Sequence, residues 1–144
     1  MSEKISEVKV FSPEIYWFVC RMTKELSPDR EGLSEEAFRA ILDSENAHLF
    51  VLQDDEGNPA GTLSVGIYRT PTGCKAWIED VVVGHEFRGL GYGKMLVEYA
   101  IDFISNSGAD TISLTSNSSR IAANQLYQSL GFERYETNLY KMRL

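Results

Sequence analysis

The stretch Trp77 to Lys94, WIEDVVVGHEFRGLGYGK, limits the folds open to this chain more than any other. The apolar run Val81-Val82-Val83 leads into the turn Arg88-Gly89-Leu90-Gly91-Tyr92-Gly93-Lys94. Met95, Leu96, Tyr99, Ala100 and Phe103 then recur at helical spacing. The order is strand, glycine-rich turn, helix. A helix start leaves backbone N–H groups without intrahelical partners, and its dipole favours negative charge. The turn is therefore a ready site for an anion such as a phosphate.

The elements around it can be read in order. Residues 4–10 read as a first strand, with Ile5, Val8 and Val10 as its apolar positions. Ser12-Pro13-Glu14 is a helix start: a capping Ser, Pro at the first helical position, an acid in the first turn. Ile15, Phe18, Val19 and Met22 form the apolar stripe of that helix, and Ser27-Pro28 stops it near Leu26. Ser34 caps a second helix, whose stripe is Phe38, Ile41 and Leu42. Strands follow over 48–53, 60–68 and 74–83, joined by polar turns and so antiparallel. Thr111 to Thr115 is a strand reached through a helical crossover, so it pairs in parallel with the strand before it. A short helix from Ile121 to Leu130 is closed by Gly131. Two last strands are expected at 132–137 and 139–142. There is no internal repeat.

The chain has 144 residues and a net charge of −7. An acidic chain lacks the basic face that a nucleic-acid partner requires, so none is expected. Cys20 and Cys74 match no metal spacing and read as free thiols in a reducing compartment. Met1-Ser2-Glu3-Lys4 has no apolar core behind it, so no secretory leader is read. No apolar run reaches the roughly 20 residues of a bilayer span. A cytoplasmic protein without a membrane partner or a bound metal is expected.

Three phosphate motifs compete for the glycine-rich turn. A Walker A loop aligned on Gly93-Lys94 puts Arg88 at its first Gly and Met95 at its Ser/Thr, and both positions fail. The dinucleotide fingerprint fits Gly89 and Gly91 but meets Lys94 at its third Gly; started at Gly91, it meets Leu96 there. R-x-x-G-x-G fits, as Arg88-Gly89-Leu90-Gly91-Tyr92-Gly93. A second stretch, Ala122-Ala123-Asn124-Gln125-Leu126-Tyr127-Gln128-Ser129-Leu130-Gly131-Phe132, lies at a matching distance. Together the two stretches resemble the GNAT superfamily of N-acetyltransferases. The resemblance covers about residues 60–142 by motif and the N-terminal third by element order. Ile78 to Val83 also resembles the strand before the loop in the glucosamine-phosphate acetyltransferase branch.

The resemblance implies an α/β (α+β) fold in a single domain, residues 1–144. Its sheet is mixed and mostly antiparallel, with six to seven strands and a splayed parallel pair. About four helices cover both faces. It also implies acetyl-CoA as co-substrate and an amine acceptor, small molecule or protein. Val81, Val82 and Val83 would pair with the pantetheine arm through main chain. Arg88, Gly89, Leu90, Gly91, Tyr92, Gly93 and Lys94 would cradle the pyrophosphate. Tyr127 matches the family tyrosine that protonates the departing sulfur; a phenol, with an ordinary pKa of about 10, is protonated at neutral pH. Asn124, one turn before Tyr127, shares its helix face. Where the family often carries an Asn, seven residues before the tyrosine, this chain has Arg120. Asn117 is a further polar contact candidate.

The acceptor amine must lose a proton, and Glu79 is the first candidate base, with Asp80 the second. His85 is expected beside the phosphates, and Trp77 and Tyr68 are candidate acceptor-pocket aromatics. A homodimer through edge strands or the C-terminal segment is compatible with this organisation. A CoA-binding module without catalysis is the competing reading.

Overall fold

The computed structural model describes residues 4–144. The leader reading at Met1-Ser2-Glu3-Lys4 therefore falls mostly outside the described residues. The elements are β1 (Ile5–Glu7), α1 (Pro13–Leu26), α2 (Glu35–Asp43), β2 (Ala47–Gln53), β3 (Pro59–Thr70), β4 (Gly73–Val83), α3 (Tyr92–Ser105), β5 (Thr111–Ser113) and α4 (Ile121–Ser129). The strands form one sheet in the order β1-β2-β3-β4-β5. Neighbours are antiparallel up to β4, and β4 pairs in parallel with β5 across the α3 crossover.

Local chemistry starts both early helices. Ser12 Oγ accepts from the Ile15 N–H at 3.2 Å, and Pro13 occupies the first helical position. Ser34 Oγ accepts from the Ala37 N–H at 3.0 Å. The connection between them is tied down. The Tyr16 hydroxyl donates to Leu33 O at 2.8 Å, and Lys24 Nζ donates to Arg30 O at 2.9 Å.

The sheet separates two cores. Phe18, Val19 and Met22 of α1 and Phe38 and Leu42 of α2 pack on Leu49, Val51 and Val82. On the other face, Leu96, Val97, Ala100 and Ile104 of α3 and Tyr127 of α4 pack on Phe50, Leu63, Val65, Ala76 and Ile78. Full burial of each large side chain on α3 contributes about 1.5–3 kcal/mol, so the sheet fixes the position of this helix. Gly61 lets it come close: a Cβ there would meet Leu96 Cδ1 at 3.0 Å and Val82 O at 3.2 Å.

The strand count differs from the expected six to seven. The sheet has five strands. Residues 132–137 and 139–142, expected as two closing strands, are irregular, and residues 133–144 are exposed. These stretches take no strand partner among the described residues. Apolar positions within a segment make it strand-compatible, but a strand exists only where another strand accepts its backbone hydrogen bonds. β1 is also shorter than the expected 4–10: the Val8 N–H still donates to Leu49 O at 2.8 Å while its side chain packs on the α1–α2 side, but Val10 is exposed and the ladder goes no further.

Phe38 is fully buried and meets Phe11 edge-on at 6.0 Å between ring centroids. Phe38→Ala should therefore cost about 3–5 kcal/mol in equilibrium urea denaturation. A loss below about 1 kcal/mol would contradict a well-packed second core.

Candidate active site

The site begins with a change of partners along β4. Lys75, Ala76 and Trp77 pair with Thr111, Ile112 and Ser113 of β5, and the parallel ladder ends there. β4 continues to Val83 and stays paired with β3 as far as Gly61. From Ile78 onward, one edge of β4 is therefore open. The Gly84 N–H donates to Ala60 O at 2.8 Å, toward β3. Antiparallel strands alternate the direction of their backbone groups, so the N–H and C=O of Val81 and Val83 face the open side.

A bulge lies on this open stretch. Thr62 pairs with Val82 and Ser64 with Glu79, so the single residue Leu63 faces both Asp80 and Val81. Asp80 takes φ +51°, the left-handed region that Asp tolerates better than most side chains. The bulge reverses the strand's facing. Ala76 and Ile78 point into the α3 core, whereas after the bulge Val81 and Val83 face that core and Val82 joins the α1–α2 core. The simple alternation that would send Glu79 and Asp80 to opposite faces is interrupted at this pair. Both residues are exposed.

A cleft of about 490 Å³ opens along the free edge. Val81, Val82, Val83, Arg88, Gly93, Arg120 and Tyr127 line it, and all seven were candidates from sequence. Glu25 and Leu26 at the end of α1, Val97 of α3, and Ala123 and Leu126 of α4 complete the wall. Ala123 and Leu126 belong to the second motif stretch but had no role assigned, whereas Glu25, Leu26 and Val97 carry no motif and reach the cleft by packing. The break at Ser27-Pro28, which ends α1 beside the cleft, is the one sequence signal near Glu25.

The turn before α3 has the anticipated form. Gly89 and Gly91 take φ +81° and +83°. The first bond of α3 runs from the Met95 N–H to Gly91 O, which leaves the Tyr92, Gly93 and Lys94 N–H groups without partners among the described residues. Gly93 has no positive φ, and a Cβ built on it would meet nothing within 4 Å. Neither torsion nor packing within the chain explains glycine at this cleft-lining position. Arg88 folds back, its Nε donating to Val83 O at 3.3 Å. Leu90 and Lys94 are exposed.

Tyr127 is buried and held by the end of its own helix. The Phe132 N–H donates to Tyr127 O, the Gly131 N–H donates to Gln128 O, and Gly131 takes φ +103°. This is the Schellman closure, and the Phe132 ring packs edge-on against Tyr127 at 6.1 Å. Burial pushes the Tyr127 phenol above its ordinary pKa, and the Arg120 charge pulls it partly back. The Glu79 carboxyl, though exposed as a residue, is pushed up by partial desolvation and further by the adjacent Asp80 charge, and Lys141 pulls it down.

Other candidates stand elsewhere or are engaged within the chain. Asn124 Nδ2 donates to Asn117 O and Arg120 O at 2.9 and 2.7 Å, and Asn117 Oδ1 accepts from Ser119. These two asparagines shape the loop that presents Arg120. His85 lies exposed in a single 3-10 turn, His85–Phe87, away from the cleft lining. Trp77 Nε1 donates to the Tyr68 hydroxyl at 3.1 Å, and neither lines the cleft. His48 bonds Glu7 Oε2 at 2.7 Å. Sequence gave no sign of Ser116, whose buried hydroxyl oxygen has no partner among the described residues. Among those residues, no three His, Cys, Asp or Glu side chains gather as a metal site, and no helix is long and apolar enough to cross a membrane.

Residues 14–132 match the acetyltransferase (GNAT) family model. The chain belongs to that family and is an acetyltransferase by descent. A thialysine N-epsilon-acetyltransferase from Sus scrofa is 30% identical over 128 residues, 78% of this chain and 75% of that protein. The N-acetyltransferase YhdJ from Bacillus subtilis is 35% identical over 97 residues, 65% of this chain and 66% of its own length. The fold is shared with glucosamine-6-phosphate N-acetyltransferase from Arabidopsis thaliana, at TM-score 0.78 and 22% identity over 96% of this chain and 97% of that one.

The surroundings of Glu79 give a prediction with a definite sign. Asp80→Asn should lower the Glu79 pKa by removing a like charge, and Lys141→Ala should raise it by removing an opposite one. Carboxyl-carbon NMR titration reads both directly. Movement in the reversed directions would contradict the placement of these three groups.

Proposed function

We propose that this chain is one acetyl-CoA-dependent N-acetyltransferase domain acting on a lysine-like primary amine. The observation that carries the reading is the open edge of β4 running between an unpaired helix N-terminus and a buried tyrosine. The residues fit coenzyme A. The Val81 backbone groups and the Val83 N–H can pair with the amides of a pantetheine arm as a neighbouring strand would, and Val83 O becomes available where Arg88 turns to a phosphate. The Tyr92, Gly93 and Lys94 N–H groups, with Arg88 and Arg120, suit a pyrophosphate in a chain that is otherwise acidic. Glycine at 93 leaves room for a phosphate to touch backbone.

Acetyl-CoA supplies the thioester, whose C–S bond breaks as the acceptor nitrogen forms its new C–N bond. Glu79, held partly protected beside Asp80, takes the ammonium proton through water and leaves the nitrogen lone pair free. Its raised pKa makes it a better base than an ordinary carboxylate. Tyr127 stays protonated because burial disfavours phenolate, so it can donate to the departing sulfur. Glu25, Glu79 and Asp80 place negative charge on and beside the cleft, which favours an ammonium-bearing acceptor. The thialysine specificity in the name of the Sus scrofa relative is of the same chemical kind.

Calorimetric titration with acetyl-CoA, then thiol release over an amine panel, tests the function. Saturable binding and release with lysine-like amines are expected. Binding without release on any amine would leave a CoA-binding module instead. Tyr127→Phe should lower kcat about 10²-fold with acetyl-CoA affinity nearly unchanged. The value of kcat/KM should rise with pH as Glu79 loses its proton, with a midpoint above the ~4.3 of an ordinary Glu, and Glu79→Gln should abolish that limb.

Gly93→Ala separates fold from function. It should stabilise the unliganded chain by about 0.4–1 kcal/mol, because the position is helical and open. The same change should weaken acetyl-CoA binding about tenfold, and unchanged affinity would contradict a phosphate contact at this backbone.

A further inference from the structure

Beside its open edge, β4 offers a second surface through its side chains. Up to Glu79 the register with β3 is regular, and Val65, Ala76 and Ile78 face the α3 core. Alternation therefore sends Lys75, Trp77 and Glu79 to the other face, opposite Tyr68, Gly66 and Ser64 in turn. The α1–α2 core meets the sheet at Leu49, Val51 and Val82, and neither Trp77 nor Tyr68 belongs to either core. The two aromatics are tied to each other instead, by the bond from Trp77 Nε1 to the Tyr68 hydroxyl, and Tyr68 is 45% exposed. Gly66, opposite Trp77, has no positive φ, and a Cβ built there would meet nothing within 4 Å. Glycine inside a strand weakens it and often marks a place where a ligand comes close to the backbone. The two ends of the strip carry opposite charges. Glu79 stands at the cleft end and Lys75 four residues back, about 13 Å along extended strand. Lys75 has no carboxylate partner among the described residues.

Given the acetyl-transfer reading, in which Glu79 is the base, we propose that this strip holds the acceptor and that the acceptor is a free diamino acid of lysine length. Its side-chain ammonium meets Glu79, its methylenes lie over Gly66 against Trp77 and Tyr68, and its α-carboxylate pairs with Lys75. An extended lysine with one ion pair at each end matches the separation of the two charges. The methylene stem buries apolar surface on the indole, and an ammonium beside an aromatic face is attracted to it. Lys75 then sets the choice of substrate. A lysine inside a polypeptide has no free carboxylate to offer it, and an alkyl diamine brings a second cation against it. The acids of the cleft select for an ammonium group, and Lys75 selects what stands at the far end of the same molecule.

Calorimetric titration of L-lysine, lysine amide, cadaverine and a lysine-bearing peptide into the full chain saturated with CoA, followed by initial rates with acetyl-CoA, tests this. Lysine should bind, and its kcat/KM should exceed those of the other three about tenfold. Lys75→Gln should remove that preference through the KM for lysine, and Lys75→Glu should invert it toward cadaverine. Trp77→Ala should raise the acceptor KM with acetyl-CoA affinity retained. Should that variant misfold by far-UV circular dichroism, Tyr68→Ala provides the same comparison. Lysine binding that depends on Lys75 but gives no turnover would support the subsite and overturn the acetyl-transfer reading. Turnover with equal use of lysine and lysine amide, or with a preference indifferent to Lys75, would overturn the subsite and leave acetyl transfer standing. Turnover of the peptide alone would do the same. Failure of all four to bind would overturn the subsite as well.

Discussion

Everything at this site depends on a backbone constraint: β4 has strand partners on both sides only as far as Trp77. Unpaired backbone groups away from water are costly, so an open strand edge inside a fold marks a place where something else must pair. Here the cost is confined to a few residues, because β3 keeps the other edge of β4 paired to its end. The bulge at Asp80 then adjusts what the open stretch presents. It hands Val81 and Val83 to the α3 core and Val82 to the α1–α2 core, so both layers grip the strand just where β5 lets go.

The two ends of the cleft are fixed by unrelated means. At one end, the buried face of α3 positions its N-terminus, and Gly61 permits the close approach. At the other, Gly131 closes α4 in a left-handed turn and brings Phe132 against Tyr127. The free N–H groups and the phenol are consequently rigid with respect to one sheet, which suits a ligand that must span both. Burial that would be a plain packing matter elsewhere also keeps Tyr127 in its protonated form.

What could be read from sequence was local chemistry. Ser12-Pro13 and Ser34 announced their helices because a cap needs only neighbours three residues away. The strand–turn–helix from Val81 to Met95, and the closure of α4 by Gly131, were legible for the same reason. The Asp80 bulge was not, since it depends on counting residues against β3. Glu25 and Leu26 reach the cleft through the docking of α1 on the sheet, which no residue pattern encodes. Asn117 and Asn124 looked like ligand contacts, but their hydrogen bonds go to the Arg120 loop. The tail had residues compatible with strands, yet it takes no strand partner among the described residues, and apolar pattern alone does not decide pairing.

The most direct test of the open-edge cleft is amide hydrogen exchange with and without acetyl-CoA. Binding should slow exchange at the Val81 and Val83 amides and at Tyr92, Gly93 and Lys94 together, while β2 amides stay unaffected. Exchange at these five positions unchanged by saturating acetyl-CoA would contradict a cofactor cleft along β4.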